Sequence, residues 1–300
     1  VQPVPRTLSL LLDDPENHYQ RLLLREADSA ASRRGIALHP PEFAVGSSWS
    51  QVESVNRLLR GTPPDGLLVL LAGEQWTRAP FERLVRGGVP VALLNRIPSW
   101  VEDLRRDHPE KLVAGIAPRQ EGVGEIQGHQ ALRLVGPDAF VMLVTGDATS
   151  APAVARRRGF VETVGGRLTV REVDGRWSAS GAEKALGEWF RLGAERDRPL
   201  DLVVCQNDAM AAGARAALAK QAAVSSRRDL ARVPLLGCDG TDEEGRAMVA
   251  RGELAATVVM PPTTPPAVDA LVSYWETGAA SGTLLLEAAS HPPVEALGRS

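Results

Sequence analysis

Two stretches in the second half of the chain decide the fold: Leu202-Val203-Val204-Cys205-Gln206-Asn207-Asp208 and Leu235-Leu236-Gly237-Cys238-Asp239-Gly240. Each is an apolar run closed by polar residues. A segment of helical character follows each, over 209–218 and 241–250. An apolar strand, an amide or carboxylate at its end and then a helix is the pattern of parallel α/β units. In such sheets small ligands lie beyond the carboxyl ends of the strands. Asn207 and Asp239 stand at those ends. Both can bond bidentately, and neither arrangement has the form of a catalytic device.

The same alternation runs outward through the chain. Residues 7–12 form a continuous apolar strand. A helix over 19–33 follows, with Tyr19, Leu22, Leu23, Ala27 and Ala30 on one face. A short strand spans 36–38, and a helix over 51–59 has Ser48 or Ser50 as its cap. Segments 67–71, 81–86, 89–94 and 112–116 continue the plan. The second half repeats it: helix 122–134, strand 139–145, helix 151–164, strand 168–172, helix 181–192, then the two units above. Thr241-Asp242-Glu243-Glu244 fits a capping box. A last strand is expected at 256–259, a proline-rich break at 261–266 and a helix at 268–275. One open sheet of so many strands would be unusual, so two sheets are expected. Chain passages between two lobes fit best near 117–120 and after Met260.

Composition narrows the function. The chain has 300 residues, 44% of them hydrophobic, enough for one large or two ordinary domains. A net charge of -3 leaves no electrostatic footprint for nucleic acid. No apolar run approaches the about 20 residues a membrane span needs. Cys205 and Cys238 have no metal-ligand spacing and read as buried free thiols. The chain opens at Val1, which leaves open a preceding signal peptide, lipid anchor or DNA-binding headpiece. No Gly-x-Gly-x-x-Gly follows the first strand, and there is no P-loop or Gly-x-Ser-x-Gly elbow. His39, His108 and His129 have no evident nucleophile partner. No enzyme, cofactor or metal is expected.

Four segments then resemble one family in order and at its spacing: Val91-Ala92-Leu93-Leu94-Asn95-Arg96, Arg156-Arg157-Arg158-Gly159-Phe160, Cys205-Gln206-Asn207-Asp208-Ala209-Met210, and Gly237-Cys238-Asp239-Gly240-Thr241 with Gly252-Glu253-Leu254. The chain resembles the type I periplasmic sugar-binding proteins of the ribose-binding group, and the related effector domains of lactose-repressor-type regulators. The resemblance implies an α/β clamp of two lobes, each a doubly wound parallel sheet flanked by helices, with three hinge crossings. The lobes would be 1–117 plus 261–286, and 118–260 plus 287–300. A small ligand, a carbohydrate, would lie between them and close the hinge without any bond being made or broken.

The resemblance also assigns residues. Asn207 would bond sugar hydroxyls, its amide supplying donor and acceptor, with the helix cap left to Asp208; capping by Asn207 itself is the plainer reading. Asp239 would accept from two hydroxyls, or serve only as a turn residue before Gly240. Arg96 would hold vicinal oxygens, with Asn95 where the family often has Asp. Arg156 would touch the ligand, while Arg157 and Arg158 lie on a solvated face. Trp177 would stack on a sugar ring or pack in the core. His18 and Tyr19 match an aromatic pair, although Tyr19 also fits its helix's buried stripe. Glu16 falls where sugar binders often have Asn, and Asn17 takes that part if the loop shifts by one. Trp76 would line the cleft or pack in its loop. Met260 replaces a hinge glutamine and widens the apolar part of the site. With Asn95, it argues against ribose and for a larger, less polar or modified sugar, or a cyclitol.

The expected partners are the ligand and a membrane transporter or sensor protein, for a monomeric periplasmic receptor. The alternative is a cytoplasmic effector-sensing domain of a lactose-repressor-type regulator without its headpiece. Asp239-Gly240 and Gly252-x-Leu254-x-x-Thr257 favour the receptor.

Overall fold

A computed structural model describes residues 5–45, 47–193, 199–225 and 227–298. In chain order the elements are β1 (Thr7–Leu12), α1 (His18–Ser32), β2 (Ala37–Leu38), β3 (Glu42–Phe43), α2 (Ser48–Arg60), β4 (Gly66–Val69), α3 (Arg78–Arg86), β5 (Val91–Leu94), α4 (Val101–Asp107) and β6 (Val113–Pro118). Then come α5 (Gln120–Leu134), β7 (Phe140–Thr145), α6 (Ala151–Val164), β8 (Thr169–Asp174), α7 (Ala179–Arg191), β9 (Leu202–Cys205), α8 (Asp208–Val224), β10 (Leu235–Asp239), α9 (Gly245–Ala250) and β11 (Ala256–Val259). The chain ends with α10 (Thr264–Thr277), β12 (Thr283–Leu286) and β13 (Ala289–His291). No described helix is long and apolar enough to cross a membrane.

The chain divides into two compact units. The first runs to Pro118 and takes in Pro262–Leu286; the second is Arg119–Pro261 and the residues from Glu287 on. The first unit's sheet has the order β12-β6-β5-β4-β1-β2, with β3 also on β1, and all its pairs are parallel. The second unit's order is β13-β11-β10-β9-β7-β8. Only β13 is antiparallel there. Both are doubly wound α/β sheets. Strand order reverses between β1 and β4 in one, and between β7 and β9 in the other. In sheets of this kind a crevice forms at the switch point of each sheet, at the carboxyl ends of its strands.

The apolar runs follow from burial on both faces. Along β7, Met142 and Val144 enter the core under α7 and α8, while Val141 and Leu143 enter the core under α5 and α6. On β9, Val203 and Cys205 alternate with Leu202 and Val204 in the same way. Helix starts are fixed locally. Ser47 caps α2 by accepting from Ser50 N at 3.3 Å, in place of the expected Ser48 or Ser50. Pro265 and Pro266 sit in the first turn of α10, where a missing N–H costs nothing. The expected proline break therefore opens this helix.

The capping box is half made. Thr241 Oγ1 accepts from Glu244 N at 3.3 Å, but residues 242–244 form a turn and α9 starts at Gly245. The segments α4, β3, β12 and β13 were not foreseen.

Candidate functional site

The second unit gathers its expected residues around the β7/β9 switch point. Arg156, on α6, is 3% exposed. Its Nε donates to Gln120 Oε1 at 2.8 Å, and Nη1 donates to the carbonyl of Gln206 and, at 3.5 Å, to Cys238 Sγ. Among the described residues Nη2 meets only the Met260 thioether, at 4.0 Å. A thioether is a weak acceptor, so the Nη2 hydrogens of this buried cation are left nearly unused. The guanidinium also lies 5.4 Å from the Trp177 ring centroid, within cation–π range. Met260 Sδ stands 3.7 Å from Cys238 Sγ. Arg157 and Arg158 pair with Glu172 and Glu121 on the surface.

Trp177 takes a left-handed backbone, φ 60, and its indole lies over Gly146, where any Cβ would run into the ring. It also packs on the core under α7 and α8. Gly146 in turn donates to Gln206 Oε1 at 2.9 Å. Gln206, fully buried at the end of β9, thus ties the switch point together.

The cap of α8 is corrected from Asp208 to Asn207. Expected at the ligand with Asp208 as cap, Asn207 is itself the N-cap of α8, accepting from Met210 N at 2.8 Å. Its Nδ2 donates to Trp177 O at 3.0 Å. A free helix N-terminus needs an acceptor at this position, and a cap of this kind contributes about 1 kcal/mol. One amide hydrogen is left for other use. Asp208 turns away from the helix: Oδ2 accepts from Gly240 N and Oδ1 from Thr257 Oγ1, both at 2.7 Å.

Asp239 ends β10 with φ 110, a conformation that costs of order 1–3 kcal/mol for a residue with a Cβ. Among the described residues its carboxylate has no hydrogen bond. Burial pushes its pKa from 3.8 up to about 7; Arg156 pulls it down and Glu244 raises it. Burial and Asp239 raise Asp208 as well. Burial pushes both cysteine thiols up, and both are free.

A carboxyl group whose pKa is higher in the folded state binds more protons there than in the unfolded chain. Stability is therefore greatest below the unfolded value and is lost as pH rises toward about 7. We expect the denaturation midpoint to fall across that window, and Asp239→Asn to flatten the slope. Urea titrations at a series of pH values test this; an unchanged slope in the variant contradicts it.

The first unit's expected residues lie at the ends of β1 and β5. Arg96 Nη1 donates to Leu71 O at 2.9 Å and Ala72 O at 3.1 Å, bracing the loop after β4. Part of its fork is thereby committed within the protein. Asn95 has φ 61, and its N–H donates to Ile116 O at 2.8 Å. Tyr19 is 7% exposed on the buried face of α1, the alternative held open for it. His18 begins that helix, partly buried. Glu16 points outward, 3.9 Å from Arg21. Asn17 caps α1, accepting from Gln20 N at 3.1 Å. Trp76 is 72% exposed with φ 65.

Asp13 was missed. It follows β1, accepts from Gln20 Nε2 and lies in the field of Arg96. Burial raises its pKa. The rule that singled out Asp239, a carboxylate closing an apolar strand, also describes Asp13. Gln206 and Asp208 were likewise within the quoted motif.

Residues 8–267 match the model of the periplasmic binding protein domain. The chain belongs to that family. Solved structures share the fold of this periplasmic binding protein. A galactofuranose binding protein superposes with a TM-score of 0.80 at 20% identity, covering 95% of this chain and 94% of that one. A solute binding protein of an ABC transporter from Mycobacterium smegmatis, with bound glycerol, gives 0.79 at 22% identity, covering 99% and 98%. The Caulobacter myo-inositol binding protein gives 0.78 at 20% identity, covering 96% and 95%. No curated protein matches this one.

Proposed function

We propose that this periplasmic binding protein is a non-enzymatic receptor for a sugar or a sugar-like polyol, which it delivers to an ABC-type transporter or a signalling protein. One observation carries the reading. At the second unit's switch point a buried guanidinium with underused donors, a carboxylate without a hydrogen bond among the described residues and an indole converge. Hydroxyl groups both donate and accept, and C–H faces of a sugar ring suit a flat aromatic. The structures of similar fold include proteins described with galactofuranose, L-arabinofuranose, D-allose and myo-inositol, and a fructose-binding domain of a two-component system.

A thermal-shift screen of the purified chain against pentoses, hexoses, amino sugars, disaccharides and inositols tests it. A ligand at about 100 times its Kd adds about 2.7 kcal/mol of stability. We expect a hit from this panel that Asp239→Ala abolishes. No shift across the panel, or a hit indifferent to Asp239, sinks the reading.

A further inference from the structure

We propose that Asp208 is the positioning residue of the second unit's ligand groups: its carboxyl, bonded to Gly240 N and Thr257 Oγ1, holds the turn that presents Asp239. This rests on the ligand role proposed for Asp239.

An acid in the first turn of a helix ordinarily serves that helix's own N–H groups. Asp208 does not. Asn207 already caps α8, and both Asp208 oxygens leave the helix, one for the end of β10 and one for β11. A single side chain therefore ties the turn after β10 to β11 from its place just beyond β9.

Two glycines keep the space for it. A Cβ on Gly245 would lie 2.6 Å from Asp208 Cγ. A Cβ on Gly237 would press on Asp208 Oδ1 and lie 2.9 Å from Leu254 Cδ1. Neither glycine has a positive φ, so room for this carboxyl, not backbone freedom, explains them.

The fastened turn is a strained one. Asp239 has φ 110 and Gly240 φ 62. Glycine adopts its φ freely, but the Asp239 backbone persists only where its surroundings hold it. Gly240 N is held by Asp208, and Asp239 O by Met260 N at 3.1 Å.

The carboxyl can do this without charge. Among the described residues no lysine or arginine pairs with Asp208, and an isolated buried carboxylate is costly. Asp239, Glu244 and Cys205 face it, and Arg156, Glu244 and Cys238 face Asp239. Charged or neutral, Asp208 can accept from Gly240 N, and the Thr257 hydroxyl, which can donate or accept, fits either form. An asparagine can make the same two bonds; an alanine can make neither.

The experiment is a carboxyl-carbon NMR titration of Asp239 in the wild type, Asp208→Asn, Asp208→Ala and Thr257→Val. Binding of L-arabinose, D-fructose, D-allose and myo-inositol is measured beside it. In Asp208→Ala the turn relaxes, Asp239 titrates nearer the ordinary carboxylate range, and the sugar that binds the wild type is held about tenfold more weakly. Asp208→Asn restores most of both readouts. Thr257→Val removes one bond at constant volume and moves both in the Ala direction by less, which decides the matter if Asp208→Ala does not fold.

An Asp239 that titrates as in the wild type in Asp208→Ala or Thr257→Val overturns the proposal. So does an Asn variant that behaves like the Ala variant. If no sugar binds the wild type, the receptor reading fails while the Asp239 titration still judges Asp208.

Discussion

Gly124→Ala lowers the stability of this protein by about 3 kcal/mol, against the direction that helix propensity alone dictates. In a helix interior alanine is preferred to glycine by about 1 kcal/mol. At Gly124, on α5, that preference loses to contact. The new Cβ would lie 2.8 Å from Arg156 C and from Phe160 N, and nearer still to Arg156 O, all backbone atoms of α6. The contact is reciprocal: a Cβ on Gly159 would lie 2.9 Å from Glu121 C. A side chain could rotate away, but two helix backbones cannot yield without separating. Overpacking of this kind costs about 1–3 kcal/mol and sometimes more. Separation also moves Arg156, so ligand binding should weaken with stability. Gly187→Ala is the control, since nothing lies within 4 Å of a Cβ there. It should gain up to about 1 kcal/mol. Chemical denaturation of the two variants checks both signs; a Gly124→Ala protein as stable as the wild type refutes the close-contact account.

The interior strands were legible because they are buried on both sides. Val203-Val204-Cys205 and Leu235-Leu236 read as unbroken apolar runs, and each residue finds one of two cores. The edges were not. Thr283–Leu286 is an edge strand whose Leu284 and Leu285 are exposed, and Ala289–His291 has no apolar run at all. Both are held by backbone pairing to β6 and β11, which imposes no side-chain pattern. The seven-residue α4 is too short to show a periodicity.

The site divides along the same line. Arg156, Trp177, Asp239 and Met260 could be named because each stands at a motif position. What each does depends on partners far away in sequence. That Asn207, not Asp208, caps α8 follows from its bonds to Met210 N and, 30 residues away, Trp177 O. Asp208 bonds across 32 residues to Gly240 and 49 to Thr257, a span no local pattern reports. Tyr19 had two readings because a helix's buried stripe and a binding aromatic share the same spacing.

Arg156→Met should weaken ligand binding by about 30-fold, about 2 kcal/mol, while Arg157→Met and Arg158→Met change it little. Hydrogen bonds to charged groups are worth roughly 1.5–3 kcal/mol each. Arg156 is the buried cation at the switch point, whereas Arg157 and Arg158 make surface ion pairs, which contribute little. The substitution acts twice. It removes the Nη2 donors that face only Met260. It also removes the charge that pulls down the pKa of Asp239, already raised to about 7 by burial. Asp239 then keeps its proton to higher pH and offers a poorer acceptor near neutrality. The pH at which half of the affinity is reached should consequently move upward in Arg156→Met. Arg156→Lys restores charge but not the fork that reaches Gln120 and Gln206 together, so it should recover the pH midpoint more fully than the affinity. Calorimetric titration with the sugar found in the screen, repeated from roughly pH 6 to about 9 to bracket the wild-type value of about 7 and a further upward shift, separates the two effects. An Arg156→Met protein with wild-type affinity would show that the guanidinium braces Gln206 and does not meet the ligand. A lowered affinity with an unmoved midpoint would show that it meets the ligand without governing Asp239.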